Sequence, residues 1–141
     1  FTEYGWFGEN LTVDGASCDT VFVGDTFSVG EAVLQVTQPR IPCFKLEYKT
    51  GIRNFGAQFR RSGRTGFYLR VLQEGLVQAG DEVLLLSRDS RGISVRALSD
   101  ERHFRTKTAK EMESIIAVGG LSRRWRSFLT TRLRRGNPTA E

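Results

Sequence analysis

The 141-residue sequence has few of the side chains that a protein-only metal site needs, with one histidine and two cysteines. A structural zinc site takes four such ligands, so this chain does not supply one by itself. Aliphatic runs are short, as in residues 83–86, whereas a membrane-spanning helix needs about 20 apolar residues. We therefore expect no membrane partner. Two cysteines form at most one disulfide, which favours a reducing, cytoplasmic location.

An initiating methionine is also missing, because the sequence begins at Phe1 and its one methionine is Met112. We therefore expect a fragment of a longer protein and predict nothing about a targeting peptide. Hydrophobic residues make up 39% of the chain and glycine adds 15 positions, which is a globular composition. Disordered and fibrous classes are excluded on this ground.

Positive charge is concentrated near the end of the chain. The net charge is +5, and residues 122–135 hold six arginines and no acid, so the rest is nearly neutral. Such a run is usually the solvated face of a helix, and we do not expect nucleic acid as a partner. A second acid-free cluster lies in a predicted loop and is interleaved with glycines, a composition that suits a compact anion such as a small-molecule phosphate. Its arginines are Arg53, Arg60, Arg61 and Arg64.

Short apolar stretches separated by glycine turns predict a mainly β domain over residues 1–91. Gly24-Asp25 and Gly80-Asp81 are predicted hairpin corners. This number of short strands indicates a barrel or a sandwich. The predicted strands cover residues 21–23, 26–29, 32–38, 44–48, 67–72 and 82–86.

A small helical unit is predicted over residues 92–136, followed by a tail at 137–141, because the apolar period changes from two toward 3.6. Thr108 and Glu111 form a capping box for one helix, and Gly119-Gly120 is its predicted stop. Ser122 caps the next helix, and residues 93–104 form a weaker first one. The unit is either docked on the β domain or tethered to it.

The segment 38–46 carries the most distinctive chemistry, because two prolines stiffen a loop that presents Cys43. Arg40 and Lys45 are close in sequence, and positive charge favours the thiolate, which is a nucleophile and a soft metal ligand. The alternative is a small buried apolar residue, as free cysteines often are. Cys18 lies in a predicted turn without basic neighbours, and we assign it no function.

Several separate segments together form a recognisable set of motifs. The segments are Phe-Gly-Glu-Asn-Leu-Thr at 7–12, Val-Gly-Asp-Thr-Phe at 23–27, Ala-Val-Leu-Gln-Val at 32–36, Gln-Pro-Arg-Ile-Pro-Cys-Phe-Lys-Leu at 38–46 and Gly-Phe-Tyr-Leu-Arg-Val-Leu at 66–72. In this order they resemble the MOSC family, named after the C-terminal domain of molybdenum cofactor sulfurase. The tail also resembles the small three-helix domain that follows MOSC in the YiiM-like branch, through Gly-Leu-Ser at 120–122 and Trp125.

The resemblance implies a closed MOSC-type β-barrel that binds a molybdopterin-type molybdenum cofactor, with Cys43 as the catalytic residue and protein ligand to molybdenum. It also implies an oxidoreductase that reduces small N-hydroxylated compounds such as 6-hydroxylaminopurine. The implied partner is a flavin or iron–sulfur reductase that donates electrons. The alternative within the same resemblance is a sulfur carrier that holds a persulfide on Cys43.

Further positions match the family motifs. The resemblance makes Asn10, Arg40, Lys45 and Arg70 candidates for cofactor or substrate contacts. Family members also carry a glycine- and histidine-rich motif and further strands upstream, and this sequence has no counterpart, since His103 lies in the helical tail. Two acidic motif positions are predicted to be structural, one orienting a loop and one closing a turn; they are Glu9 and Asp25.

Overall fold

Four strands form one antiparallel sheet in the computed structural model, which describes residues 4–136. Their order across the sheet is β3-β2-β1-β4. The central hairpin joins β1 to β2 through a two-residue turn in which Gly30 has a φ of 54°. The strands are β1 (Thr26–Val29), β2 (Ala32–Pro39), β3 (Phe67–Gln73) and β4 (Val83–Ser87).

Five helices accompany the sheet, and three of them begin at side-chain caps. Ser94 and Ser122 accept backbone N–H groups of the helices that they precede, and Thr108 and Glu111 form the predicted capping box. The predicted helix starts at Thr108 and Ser122 are therefore confirmed, because caps depend on local sequence. The helices are α1 (Phe44–Thr50), α2 (Phe55–Ser62), α3 (Val95–Phe104), α4 (Ala109–Ile116) and α5 (Arg123–Arg134).

The last three helices are docked on the sheet, not tethered to it. Their core includes Trp125 and Leu129, and it also contains Val23 from the segment before β1. Val95 of α3 packs with Val36 of β2 in a second cluster. Of the two arrangements that the sequence left open, the docked one is found, because burial of these apolar side chains holds the helices against the sheet.

The predicted closed barrel is not found within residues 4–136, where the sheet is open and has β3 and β4 at its edges. The helices also hold more residues than the strands, so the mainly β class is confirmed only in part. No helix in these residues is long and apolar enough to cross a membrane. The predicted tail, 137–141, lies outside the described residues.

Both predicted hairpin corners are wrong. Gly24-Asp25 precedes β1, and β4, which follows Gly80-Asp81, pairs with β1 and not with β3. Residues 21–23 form no strand and make one isolated bridge, from Phe22 to Ser94. A glycine turn shows where the chain changes direction, but it does not show which strand becomes the neighbour.

The predicted strand at 44–48 is wrong, because this segment is helix α1. Leu46 is buried, whereas Phe44 and Tyr48 are exposed. The apolar residues 44 and 48 are four apart, which fits one face of a helix. The alternation of apolar residues 44, 46 and 48 fits a strand equally well, so the sequence pattern does not distinguish the two. The glycine-rich segment that follows was also expected to be irregular, and it contains α2.

Gly120 has a packing role that differs from the predicted helix stop. Helix α4 ends at Ile116 with Ala117 as its C-cap, before Gly119 and Gly120. A Cβ atom on Gly120 would lie 2.6 Å from the Cα of Gly24. The glycine is therefore needed for close approach of two backbones, which lets the helices contact the sheet.

Candidate functional site

Cys43 is exposed and free at the N-cap of α1. Its side chain makes no capping hydrogen bond, and its backbone carbonyl accepts the N–H of Leu46 at 3.1 Å. The backbone is thus fixed while the thiol stays available. Of the two alternatives from sequence, a buried apolar cysteine describes Cys18, which is 5% exposed, and not Cys43.

Helix α2 holds the loop of residues 4–10 beside the Cys43 segment. The Phe7 ring stacks on two rings of α2, with centroids 6.1 Å from Phe55 and 5.0 Å from Phe59. On the other side, Pro42 lies next to Gly56 of the same helix. One helix therefore positions both the loop and the residue that precedes Cys43.

Two basic side chains fasten this loop to the Cys43 segment. The Arg40 guanidinium donates to the carbonyl of Phe7, and the Arg40 backbone N–H donates to Gly66 at 2.9 Å. Lys49 of α1 donates to the carbonyl of Trp6 at 2.5 Å, with its ammonium 4.8 Å from the indole centroid. Arg40 keeps further N–H donors for a ligand, since a guanidinium has five.

Glu9 orients the loop, as predicted. Its carboxylate accepts the backbone N–H groups of Gly5 at 2.6 Å and Phe7 at 3.0 Å. The N–H of Glu9 itself, those of Gly5 and Phe7, and the charge of Arg40 together hold the pKa of Glu9 below its ordinary value. Asn10 follows at once and is exposed, so its amide is free to meet a ligand from solvent.

Asp25 closes a turn, also as predicted. It is fully buried, and its carboxylate accepts the N–H of Phe22 at 2.9 Å. Arg88 donates to both carboxylate oxygens, at 2.8 and 2.7 Å. This bidentate pair joins the start of β1 to the end of β4, so Asp25 stabilises the sheet and does not face a ligand.

The other predicted contacts are less close to Cys43. Lys45 is exposed, but side chains two residues apart do not share a helix face, so α1 does not place Lys45 beside Cys43. Arg70 is exposed on β3 opposite Gln35, which lies about 16 Å along β2 from Arg40. Arg70 therefore lies well away from Arg40 along the sheet.

The glycine-rich arginine cluster does not form the expected loop. Arg60 and Arg61 lie in the last turn of α2, where helix carbonyls rather than N–H groups face outward. Basic side chains at this position are favoured by the helix dipole. The last turn of α2 therefore does not supply the backbone N–H groups that the predicted anion site needs.

The sequence and structure comparisons identify the family. A family model described as the MOSC domain matches residues 2–84, more than half of the chain. The chain belongs to the MOSC family. The predicted resemblance is thus confirmed, and the Cys43 motif lies inside the matched region.

Individual relatives agree with this assignment. "Uncharacterized protein YflK" of Bacillus subtilis is 44% identical over 121 residues, which cover 86% of this chain and 55% of YflK. A protein named "Reductase" from Gibberella moniliformis is 38% identical over 87 residues, 61% of this chain and 16% of that protein. The crystal structure of YiiM from Geobacillus stearothermophilus superposes with a TM-score of 0.87 at 35% identity, covering 93% of this chain and 67% of YiiM. The chain therefore spans about half the length of YflK.

The site fits the molybdenum cofactor of the MOSC family in one specific way. Within residues 4–136, no three side chains of histidine, cysteine, aspartate or glutamate cluster closely enough to hold a metal ion. Among these residues, Cys43 is the candidate protein ligand through its sulfur, and the cofactor would bring other ligands itself. A soft thiolate suits molybdenum bound in a sulfur-containing cofactor.

Sequence analysis missed the aromatic residues that build the site. Phe7, Phe55 and Phe59 come from segments almost 50 residues apart, and no local pattern pairs them. Lys49 was missed for the same reason, because its partner Trp6 is 43 residues away. The signal available in the sequence was that residues 52–66 contain aromatic residues and glycines but no acidic residue. We interpreted this segment as a loop.

Proposed function

We propose that this chain forms part of a molybdenum-cofactor-dependent reductase of small N-hydroxylated compounds, with Cys43 as the protein ligand to molybdenum. The observation that carries the proposal is an exposed thiol, unengaged at a helix start, in a motif of the MOSC family. The relative named "Reductase" supports an oxidoreductase role.

Each predicted contact has a task in this proposal. Cys43 holds the cofactor through its sulfur, and Arg40 and Lys45 offer cations to its phosphate. Asn10 offers an amide to the cofactor or the substrate, from a loop whose shape Glu9 fixes. Arg70 contacts the cofactor or the substrate farther along the sheet. These assignments are proposals for the full-length protein.

The reaction sets the requirement for a partner. Conversion of a hydroxylamino group to an amine breaks the N–O bond, consumes two electrons and two protons, and releases water. The bound molybdenum cofactor would supply the two-electron chemistry. A flavin or iron–sulfur reductase would supply the electrons, and we place both proteins in the cytoplasm, where two free cysteines persist.

An activity assay tests the proposal. We would measure reduction of 6-hydroxylaminopurine by the natural full-length protein, loaded with cofactor and supplied with a chemical reductant. Cys43→Ser should lower the rate by more than about 100-fold, beyond the usual effect of a residue that only supports a metal ligand. Cys18→Ala is the matched control and should keep the rate. An unchanged rate in Cys43→Ser would rule out the proposed role.

A sulfur carrier is the second candidate, because an exposed thiol without clustered metal ligands in residues 4–136 also suits a persulfide. It predicts a mass increment of one sulfur on Cys43 that a reductant removes. It also predicts no molybdenum in the purified protein. The two candidates therefore differ in both mass and metal content.

A further inference from the structure

A groove lined mainly by arginine lies between the end of α3 and one face of α5. Its volume is about 560 Å³. Arg102 and Arg105 approach it from α3 and its C-cap, and Arg124, Arg132 and Arg135 approach it from α5 and its C-cap. We call this feature the arginine groove. It is not part of the Cys43 segment, and it has no role in the function proposed above.

Two of these arginines are held in place without a ligand. Arg132 forms an ion pair with the buried Glu101 carboxylate at 2.9 Å and donates to the Glu101 carbonyl at 2.7 Å. The Arg102 guanidinium lies 5.1 Å from the Phe128 ring centroid and 5.8 Å from that of Trp125. At these two arginines, anion binding would therefore cost little side-chain entropy, because their donors are already ordered.

Within residues 4–136, most of the charge in the groove has no acidic partner. Glu101 pairs with Arg132, but no acidic residue lines the groove within residues 4–136. The other four lining arginines have no carboxylate partner in that part of the chain. Converging positive charges repel one another, and a polyanion would relieve that repulsion. These four are Arg102, Arg105, Arg124 and Arg135.

The arginines of α5 divide into separate groups. Arg126 donates to the carbonyls of Ile116 and Val118 and so serves the fold. Arg124 and Arg135 line the groove, together with the hydroxyls of Ser127 and Thr131. Arg123 and Arg134 are exposed but do not line it. The helix therefore offers two pairs of exposed arginines with the same charge and different positions.

We propose that the arginine groove binds the polyphosphate group of a small molecule. Arginine forms bidentate hydrogen bonds with phosphate oxygens, and the two hydroxyls add further donors. The volume lies in the range of about 300–1,000 Å³ that small-ligand pockets occupy. A concave site of this size suits a compact polyanion better than the broad surface of an acidic protein or a nucleic acid.

To test the proposal, the natural full-length protein is titrated calorimetrically with inorganic triphosphate and with ATP at constant ionic strength. Arg124→Gln/Arg135→Gln removes two groove arginines, and Arg123→Gln/Arg134→Gln removes the same charge from elsewhere on α5. We expect the groove variant to weaken triphosphate binding by about 30-fold or more, because each lost charge-assisted hydrogen bond weakens binding severalfold. The control variant should change it by less than about threefold.

Either of two results would overturn the proposal. One is equal weakening in both double variants, which would mean unspecific attraction to a basic helix. The other is that neither triphosphate nor ATP binds at about 1 mM. That result would overturn the proposal even if poly-glutamate or a single-stranded oligonucleotide binds. Similar affinities for triphosphate and ATP would assign recognition to the phosphates alone, and tighter ATP binding would add a contact to the nucleoside. All four substituted residues are exposed, so both variants should fold.

Discussion

The helices α3–α5 and the edge strands β3 and β4 bury their large apolar side chains to very different extents. In the helices, Leu98, Met112, Trp125 and Leu129 are at most 1% exposed, and Phe104 at the end of α3 is an exception at 70%. In the edge strands, six large hydrophobic side chains are 48–56% exposed: Tyr68, Val71, Leu72, Leu84, Leu85 and Leu86. The helices thus contribute to a buried core, whereas within residues 4–136 the strands β3 and β4 have exposed side chains and are the edges of the sheet.

The largest expected effect compares a core residue with an edge residue. Trp125→Ala should lower the free energy of unfolding by about 4 kcal/mol, because it removes a fully buried indole and leaves a cavity. Leu85→Ala on β4 should cost less than about 1 kcal/mol, since half of its side chain already faces solvent. Urea unfolding measures both values. Similar losses would show that β4 is covered in solution and would remove the contrast.

A buried carboxylate should give the next largest effect. Glu101 is 1% exposed, forms an ion pair with Arg132 at 2.9 Å and accepts the N–H of Lys107 at 2.8 Å. Glu101→Gln should lower the free energy of unfolding by about 3 kcal/mol, because Arg132 loses its charged partner. Asp100→Asn is the control, since its pair with Arg96 is partly exposed and should contribute less than about 1 kcal/mol. Equal losses in the two variants would contradict this ranking.

A smaller loss is expected at the start of α4. Thr108 accepts the N–H of Glu111 at 3.3 Å, as one half of the capping box. Thr108→Ala should lower the free energy of unfolding by about 1 kcal/mol, and Thr108→Ser should restore most of it. Helical signal by circular dichroism and urea unfolding measure the effect. A Ser variant as weak as the Ala variant would mean that the hydroxyl does not act as a cap.

The smallest expected effect depends on pH. Hydrogen bonds from the Thr108 backbone and side chain, and from Lys107, lower the pKa of Glu111 from 4.5 to about 2. The unfolded chain therefore takes up a proton before the folded one, so this contribution is present above pH 4.5 and is lost as the pH falls toward 2. The difference in thermal midpoint between the natural protein and Glu111→Gln should shrink over that window. A difference that stays constant would contradict the assignment.

The parts of the fold that sequence predicted depend on local interactions. The caps at Thr108 and Ser122 depend on residues no more than four positions away in the sequence. Both helix starts are confirmed. Strand β1 matches its predicted range, β2 and β3 each extend one residue further, and β4 is shifted by one residue. Strand pairing was predicted wrongly, because the partner of β4 is set by contacts such as that between Arg88 and Asp25, 63 residues apart.

The candidate site was predicted in the same uneven way. Cys43 was predicted from its motif, and the structure shows that it is exposed, while its role stays a prediction. The stacking of Phe7 on Phe59 was not predictable, because it needs α2, and residues 52–66 have too many glycines to predict a helix. The arginine groove was missed since sequence shows the run on α5 but not the approach of Arg102 and Arg105.

Molybdenum content tests the central claim about Cys43 most directly. The measurement is elemental mass spectrometry of the natural full-length protein, expressed with molybdate, beside its Cys43→Ser and Cys18→Ala variants. Our account predicts near-stoichiometric molybdenum in the natural protein and in Cys18→Ala, and none in Cys43→Ser. Molybdenum retained in Cys43→Ser, or absent from all three proteins, would contradict it.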